Sequence, residues 1–270
     1  MRDDEIADLL QKTSRTFALA IPLLDPPLAR RVGLSYLLFR IADTLEDAEL
    51  WDRDQRLSAL RSFEQWIGGG RGEWKHASPP TKDAGCLELL DRADAVLAEV
   101  PDTERGHVKR TAHGMARFVA RQDERGAIQL ADLADLRDYC YVVAGIVGEL
   151  LTELFGVAPT LWEEGRLFGE GLQLVNILKD APSDATQGRV YLPASVPRPD
   201  VVALARDDLR AAERYLTGLA SHRASRGTIA FCTLPHRLAV ATLDRLDEGK
   251  PKLSREEAMA IFADVTSSVR

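Results

Sequence analysis

The chain has 270 residues, 45% of them apolar, enough for a sizeable core. A net charge of -7 has the wrong sign for binding a phosphate backbone, which excludes a nucleic-acid partner. Cys86, Cys140 and Cys232 are too few and too widely spaced for a disulfide framework or a zinc site, and they fit a reducing compartment. The acidic start MRDDEIADLL is not a signal peptide, and no apolar run approaches the roughly 18 residues of a membrane span. A cytoplasmic protein is expected, peripheral to the inner membrane face if its substrate is greasy.

Glu5 to Lys12 is a short amphipathic helix. Pro26 and Pro27 open the next, because proline suits a first helical turn, and its stretch Val32 to Leu45 is apolar nearly all round. Asp52 to Ile67 follows at helical spacing. Gly68 to Gly85 is long for a loop in a compact domain and is a candidate lid. Leu87 to Val100 and Thr103 to Arg121 are again helical. Asp132 leads into a helix from about Leu133 to Phe155, too long for a strand despite its β-branched middle. Leu161 to Lys179, Asp200 to Leu219, Pro235 to Asp247 and Ser254 to Val265 complete the set. No strand pairs, βα alternation or repeats appear. The expectation is an all-α fold, one helical bundle spanning residues 1–270.

Two stretches share a pattern. In LSYLLFRIADTLED, Tyr36, Arg40, Asp43 and Asp47 fall within roughly a 60° arc at about 100° per residue. In GLQLVNILKDAPSD, Gln173, Asn176, Asp180 and Asp184 cover roughly 80°. A lone acidic pair four residues apart is usually a solvated surface. Here both pairs end mainly apolar helices and have polar companions on the same arc. Apart from Arg40, neither has a basic partner within its arc. Carboxylates at this spacing suit Mg²⁺, which takes one or two of them together with phosphate oxygens. A metal-held diphosphate is a good leaving group, and the carbocation left behind wants an apolar, water-free cavity.

Five blocks in order carry a family resemblance: TSRTF from Thr13, YLLFRIADTLED from Tyr36, YCYVVAGIVGELLTELFG from Tyr139, LQLVNILKDAPSD from Leu172 and GRVYLP from Gly188. Together they resemble the squalene/phytoene synthase family. FCTLPHRLAVATL, from Phe231, is similar to a segment of its squalene synthase branch, whereas GRVYLP has the bacterial and phytoene-type flavour.

The resemblance implies an isoprenoid synthase-type bundle with a central apolar cavity. It also implies head-to-head condensation of two farnesyl diphosphates through presqualene diphosphate, ending in squalene when NADPH supplies hydride. Asp43, Asp47, Asn176, Asp180 and Asp184 would hold Mg²⁺. Ser14, Arg15, Arg40, Lys179 and Arg189 would contact diphosphate and Gln173 would bind substrate, with Tyr36 and Arg40 as catalytic candidates alongside Tyr139. Tyr139 matches the tyrosine given a proton-transfer or cation-steering role. Prenyl diphosphates are then the partners, with membrane contact for product release. NADPH would not meet a Rossmann loop, since no GxGxxG is present; by weak analogy Lys250, Lys252 and Arg255 would meet its phosphates.

The chain departs from the family pattern at several positions. Lys179 stands where arginine is usual and lacks the bidentate fork. Pro182 falls inside the second motif, where the helix is expected to end. Ser183 replaces a glutamate, and Val142 replaces a tyrosine. Other outcomes remain open: dehydrosqualene, phytoene or hydroxysqualene from the same chemistry, action on a single prenyl diphosphate, or a non-catalytic scaffold of the same fold.

Overall fold

The computed structural model describes residues 1–14, 16–70, 74, 78–122, 128, 130–186, 189–250 and 252–267. Every regular element among them is helical, as the apolar periodicity predicts. Backbone contacts divide the chain into two compact units, residues 1–21 with 26–128 and residues 22–25 with 129–270.

The first unit holds α1 (Asp3–Thr13), the short α2 (Phe17–Ala20), α3 (Pro26–Glu46), α4 (Arg53–Ile67), α5 (Ala84–Asp91), α6 (Ala93–Leu97) and α7 (Asp102–Val119). The expected all-round burial of α3 is found: Leu34, Leu37, Leu38, Ile41, Ala42 and Leu45 are buried. It packs on α1, α4 and α7. Local chemistry sets the helix starts. Asp52 accepts from the Gln55 backbone N–H while the Gln55 side chain accepts from that of Asp52, a reciprocal cap at α4. Asp83 caps α5 through Cys86 N–H. The single helix expected over Leu87 to Val100 is instead two, α5 and α6, broken at Arg92 with φ -93 and ψ 2. Trp74, within the loop expected over Gly68 to Gly85, a candidate lid, is buried against the edge of Phe63 at 5.4 Å. Residues 71–73 and 75–77 of that lid, like Arg15, lie outside the described residues.

The second unit holds α8 (Leu133–Cys140), a π-turn (Tyr141–Gly145), α9 (Ile146–Leu154), α10 (Trp162–Thr186), α11 (Arg198–Ser221), α12 (Arg226–Asp247) and α13 (Arg255–Ser267). Asp132 caps α8 through Asp135 N–H, as expected from its position. The helix predicted from Leu133 to Phe155 is therefore interrupted by a widened turn over YVVAG. That turn lies against α10 at backbone contact: a Cβ on Gly169 would sit 2.2 Å from the Ala144 carbonyl oxygen. Two prolines behave differently from expectation. α12 begins at Arg226, capped by the Ser225 hydroxyl accepting from Thr228 N–H, so Pro235 is internal and does not open the helix. And α10 does not stop at Pro182 but runs on to Thr186.

His236 of α12 is buried beside the Phe168 ring, with Nε2 3.3 Å from the Leu209 carbonyl oxygen. Burial pushes its pKa below the ordinary value, against the opposing pull of that carbonyl and of Glu213. The unfolded chain therefore binds more protons than the folded one below about pH 6.5. Stability is expected to fall as pH drops from there through the folded-state value. Melting at pH 7.5 and 5.5 should show a smaller loss for His236→Gln than for the wild type; equal losses would refute the assignment.

Candidate functional site

On α3 the four residues picked out by helical spacing are found on one continuous helix. The Asp47 backbone N–H still donates to the Asp43 carbonyl at 2.9 Å, which carries the register one residue past Glu46. Tyr36 stacks at a tilt on Phe17, ring centroids 5.1 Å apart. Burial raises the pKa of its hydroxyl, and a hydrogen bond with Ser14 opposes the shift. Ser14, Tyr36 and Arg40 are thus neighbours in the first unit. Arg40 Nη1 lies 3.9 Å from Asp43 Oδ2, and its Nη2 lies 3.6 Å from Cys86 Sγ. Arg40 Nε is buried without a hydrogen-bond partner among the described residues. A buried cationic donor left unmatched is costly unless an acceptor comes to it.

Asp43 is pushed up to about 7 by burial, with Arg40 pulling it down and the Asp47 carboxylate reinforcing the rise. Its side chain nevertheless keeps 40% of its surface open, so it can be reached. A carboxylate that is desolvated, accessible and crowded by a second carboxylate would be relieved by a divalent cation.

On α10, Gln173 is half-buried, Asn176 is exposed, and Asp180 and Asp184 are half-buried. Lys179, outside the polar arc by helical reckoning, still reaches both neighbours: Nζ is 3.0 Å from Asn176 Oδ1 and 3.2 Å from Asp180 Oδ2. The absence of a neutralising base within the arc did not anticipate that reach. Arg189 follows the helix, its backbone N–H donating to the Asp184 carbonyl. Tyr139 is 4% exposed and stacks on Tyr191 of the GRVYLP block at 5.1 Å.

Sequence reasoning missed a buried charged group in the second unit that includes Glu170 of α10. Glu170 and Asp208 are buried, and Arg137 joins them, with Nη2 3.0 Å from Asp208 Oδ1 and Nη1 3.5 Å from Glu170 Oε2. Arg166 also pairs with Glu170. Burial pushes Asp208 up to about 7, with Arg137 opposing and Glu170 adding to the rise. The partners of the Arg137–Asp208 pair stand 71 positions apart, so no local signal marked it. Cys86 beside Arg40 was likewise read only for its spacing.

Among the described residues, no three His, Cys, Asp or Glu side chains cluster tightly enough to cage a metal by themselves. Each acidic helix by itself offers donors of the kind Mg²⁺ accepts, one or two carboxylates with substrate oxygens completing the shell. The residues able to take part are Asp43 and Asp47 on one helix, and Asn176, Asp180 and Asp184 on the other.

Among the described residues the elements are all helical, and two helices carry paired aspartates, one of them with a half-buried arginine whose Nε lacks an acceptor. The squalene/phytoene synthase family model matches residues 10–199, and the chain belongs to that family. The squalene synthase of Eremothecium gossypii is 30% identical over 273 residues, covering 87% of this chain and 60% of that protein. The chain thus spans less than two thirds of the length of that relative. A solved structure of TcSQS with the ligand BPH1237 superposes with a TM-score of 0.79 at 25% identity, covering 97% of this chain and 86% of the other. A dehydrosqualene synthase in complex with ligand shares the fold, with a TM-score of 0.66 at 20% identity and coverage of 98% and 95%. Among the described residues, no helix is long and apolar enough to cross a membrane.

Proposed function

We propose that this protein condenses two farnesyl diphosphates head to head through presqualene diphosphate and, with NADPH as hydride donor, releases squalene. The observation that carries this reading is the polar face of α3. There a desolvated but reachable Asp43 stands beside Asp47, and a buried Arg40 donor lacks an acceptor. Bound Mg²⁺ would neutralise the diphosphate and stabilise its departure. Asp43 and Asp47 on α3 are assigned to hold Mg²⁺, and so are Asn176, Asp180 and Asp184 on α10. Arg40 Nε is offered to a diphosphate oxygen, and Lys179, Arg189, Ser14 and Arg15 are assigned to the same anions. Gln173 and Tyr36 line the polar faces.

Loss of the first diphosphate leaves an allyl cation. The double bond of the second substrate attacks it, and loss of a proton closes the cyclopropane of presqualene diphosphate; the second diphosphate would then leave, the skeleton rearrange and hydride from NADPH quench the cation. Tyr139, buried against Tyr191, is the group assigned to steer that cation or relay the proton. Squalene is insoluble in water, so release at a membrane surface belongs to the same proposal.

The test is incubation with farnesyl or geranylgeranyl diphosphate and Mg²⁺, with and without NADPH, followed by lipid analysis. Squalene that depends on both Mg²⁺ and NADPH is expected. A lipid product yield indifferent to NADPH would replace squalene with dehydrosqualene, phytoene or hydroxysqualene as the product. No Mg²⁺-dependent release of diphosphate would leave the fold as a scaffold.

A further inference from the structure

Pro182 sits between the two aspartates of α10, yet the helix continues through it to Thr186. Proline has no N–H, so the Leu178 carbonyl, four residues back, loses its helical donor. With Arg198 in place Leu178 is 0% exposed, so that carbonyl takes its donor from the protein and not from water. A buried carbonyl must find a partner elsewhere or the structure rearranges. The partner is Arg198, the first residue of α11, whose Nη2 donates to Leu178 O at 3.0 Å. The next turn is held by two further bonds. Ser183 Oγ donates to the Asp180 carbonyl at 2.8 Å and Thr186 Oγ1 to the Ser183 carbonyl at 2.6 Å.

We propose that Arg198 is a positioning residue: by taking the carbonyl that Pro182 orphans, it keeps α10 helical across the proline and so holds Asp180 and Asp184 on one face. The functional half of this rests on the assignment of those aspartates to Mg²⁺. Arg198 touches neither metal nor substrate in this account. Its own side chain lies at the surface, so its removal does not threaten the core.

The decisive feature is a coupling. Pro182→Ala restores an N–H for Leu178 O, which makes Arg198 redundant. Amide hydrogen exchange over residues 183–186 is compared in the wild type, Arg198→Ala, Pro182→Ala and the double variant, all as the 270-residue chain and metal-free. Arg198→Ala is expected to speed exchange about tenfold in the wild-type background and hardly at all in the Pro182→Ala background. Equal acceleration in both backgrounds, or none in either, overturns the proposal.

A second arm titrates Mg²⁺ against farnesyl diphosphate turnover. Arg198→Ala should raise the Mg²⁺ concentration needed for half-maximal rate several-fold, with the maximal rate less affected, and Pro182→Ala should restore it. Asp180→Asn serves as the control. If Asp180→Asn shifts the Mg²⁺ dependence and Arg198→Ala does not, the positioning role falls while the metal assignment stands. If Asp180→Asn changes nothing, the metal assignment falls and takes the functional half of the proposal with it, while exchange alone still decides whether Arg198 supports the helix.

Discussion

Asp43→Asn is expected to slow Mg²⁺-dependent diphosphate release from farnesyl diphosphate by roughly 10²–10³-fold, because the amide keeps the shape but loses the charge that holds a cation. The fold should survive and even gain. Asp43 is raised to about 7 in the folded protein, chiefly by burial. A carboxyl shifted upward contributes stability below its unfolded value near 3.8, and that contribution is lost as pH rises through 7. At pH 8 without metal the wild type therefore carries an unfavourable charge that Asn lacks. Since the side chain is 40% exposed, solvent screening holds the gain to the order of 1 kcal/mol. Activity assays paired with melting curves at pH 8 check both halves. Full activity in Asp43→Asn would remove α3 from the proposed chemistry. Lost activity with a lower melting temperature would point to damage to the fold instead. An acidic site that destabilises its own helix is what function at a cost in stability looks like.

Gly148→Ala should be the most damaging small substitution in the second unit. By helix propensity alone it ought to stabilise α9 by about 1 kcal/mol. Tertiary contact reverses the sign. A Cβ there would lie 2.0 Å from the Gly165 carbonyl oxygen and 2.8 Å from its carbon, both backbone atoms of α10 that cannot turn aside. The two helices would have to separate, and with them Gly165, whose own Cβ position is 2.1 Å from the Thr152 hydroxyl. That hydroxyl bonds the Gly148 carbonyl at 2.8 Å and the Tyr215 hydroxyl at 3.0 Å, so the disturbance would spread to α11. Overpacking of this kind costs about 3 kcal/mol, or roughly 6–12 °C in melting temperature for a chain of this size. Gly106→Ala on α7 is the matched control, because nothing lies within 4 Å of its Cβ position. It should raise stability by up to about 1 kcal/mol. If both glycine variants shift melting the same way, close backbone approach is not why Gly148 is glycine.

The family resemblance rested on short blocks, and the helices that carry them were readable for local reasons. Pro26 and Pro27 start α3, and Asp47 stays in register with Asp43 because α3 meets no proline or glycine between them. The α10 motif was less secure from sequence, because Pro182 breaks the local rule. The donor that compensates for it comes from position 198, 20 residues away from the carbonyl it serves. The buried charges followed the same logic. Glu170 looks like any surface glutamate until Arg137 and Arg166 are seen on either side of it.

The amino-acid sequence by itself determined that the chain is helical, where most helices begin, and which polar residues share a face on α3 and on α10. Those features follow from capping side chains and the 3.6-residue period, which act within a few positions. Only the tertiary structure decided that α10 passes through Pro182, that YVVAG widens into a π-turn against Gly169, and that Asp43 is desolvated enough to hold its proton near neutrality. Each depends on atoms brought close by packing, and hydrogen bonding and desolvation act over a few ångströms of space whatever the separation along the chain.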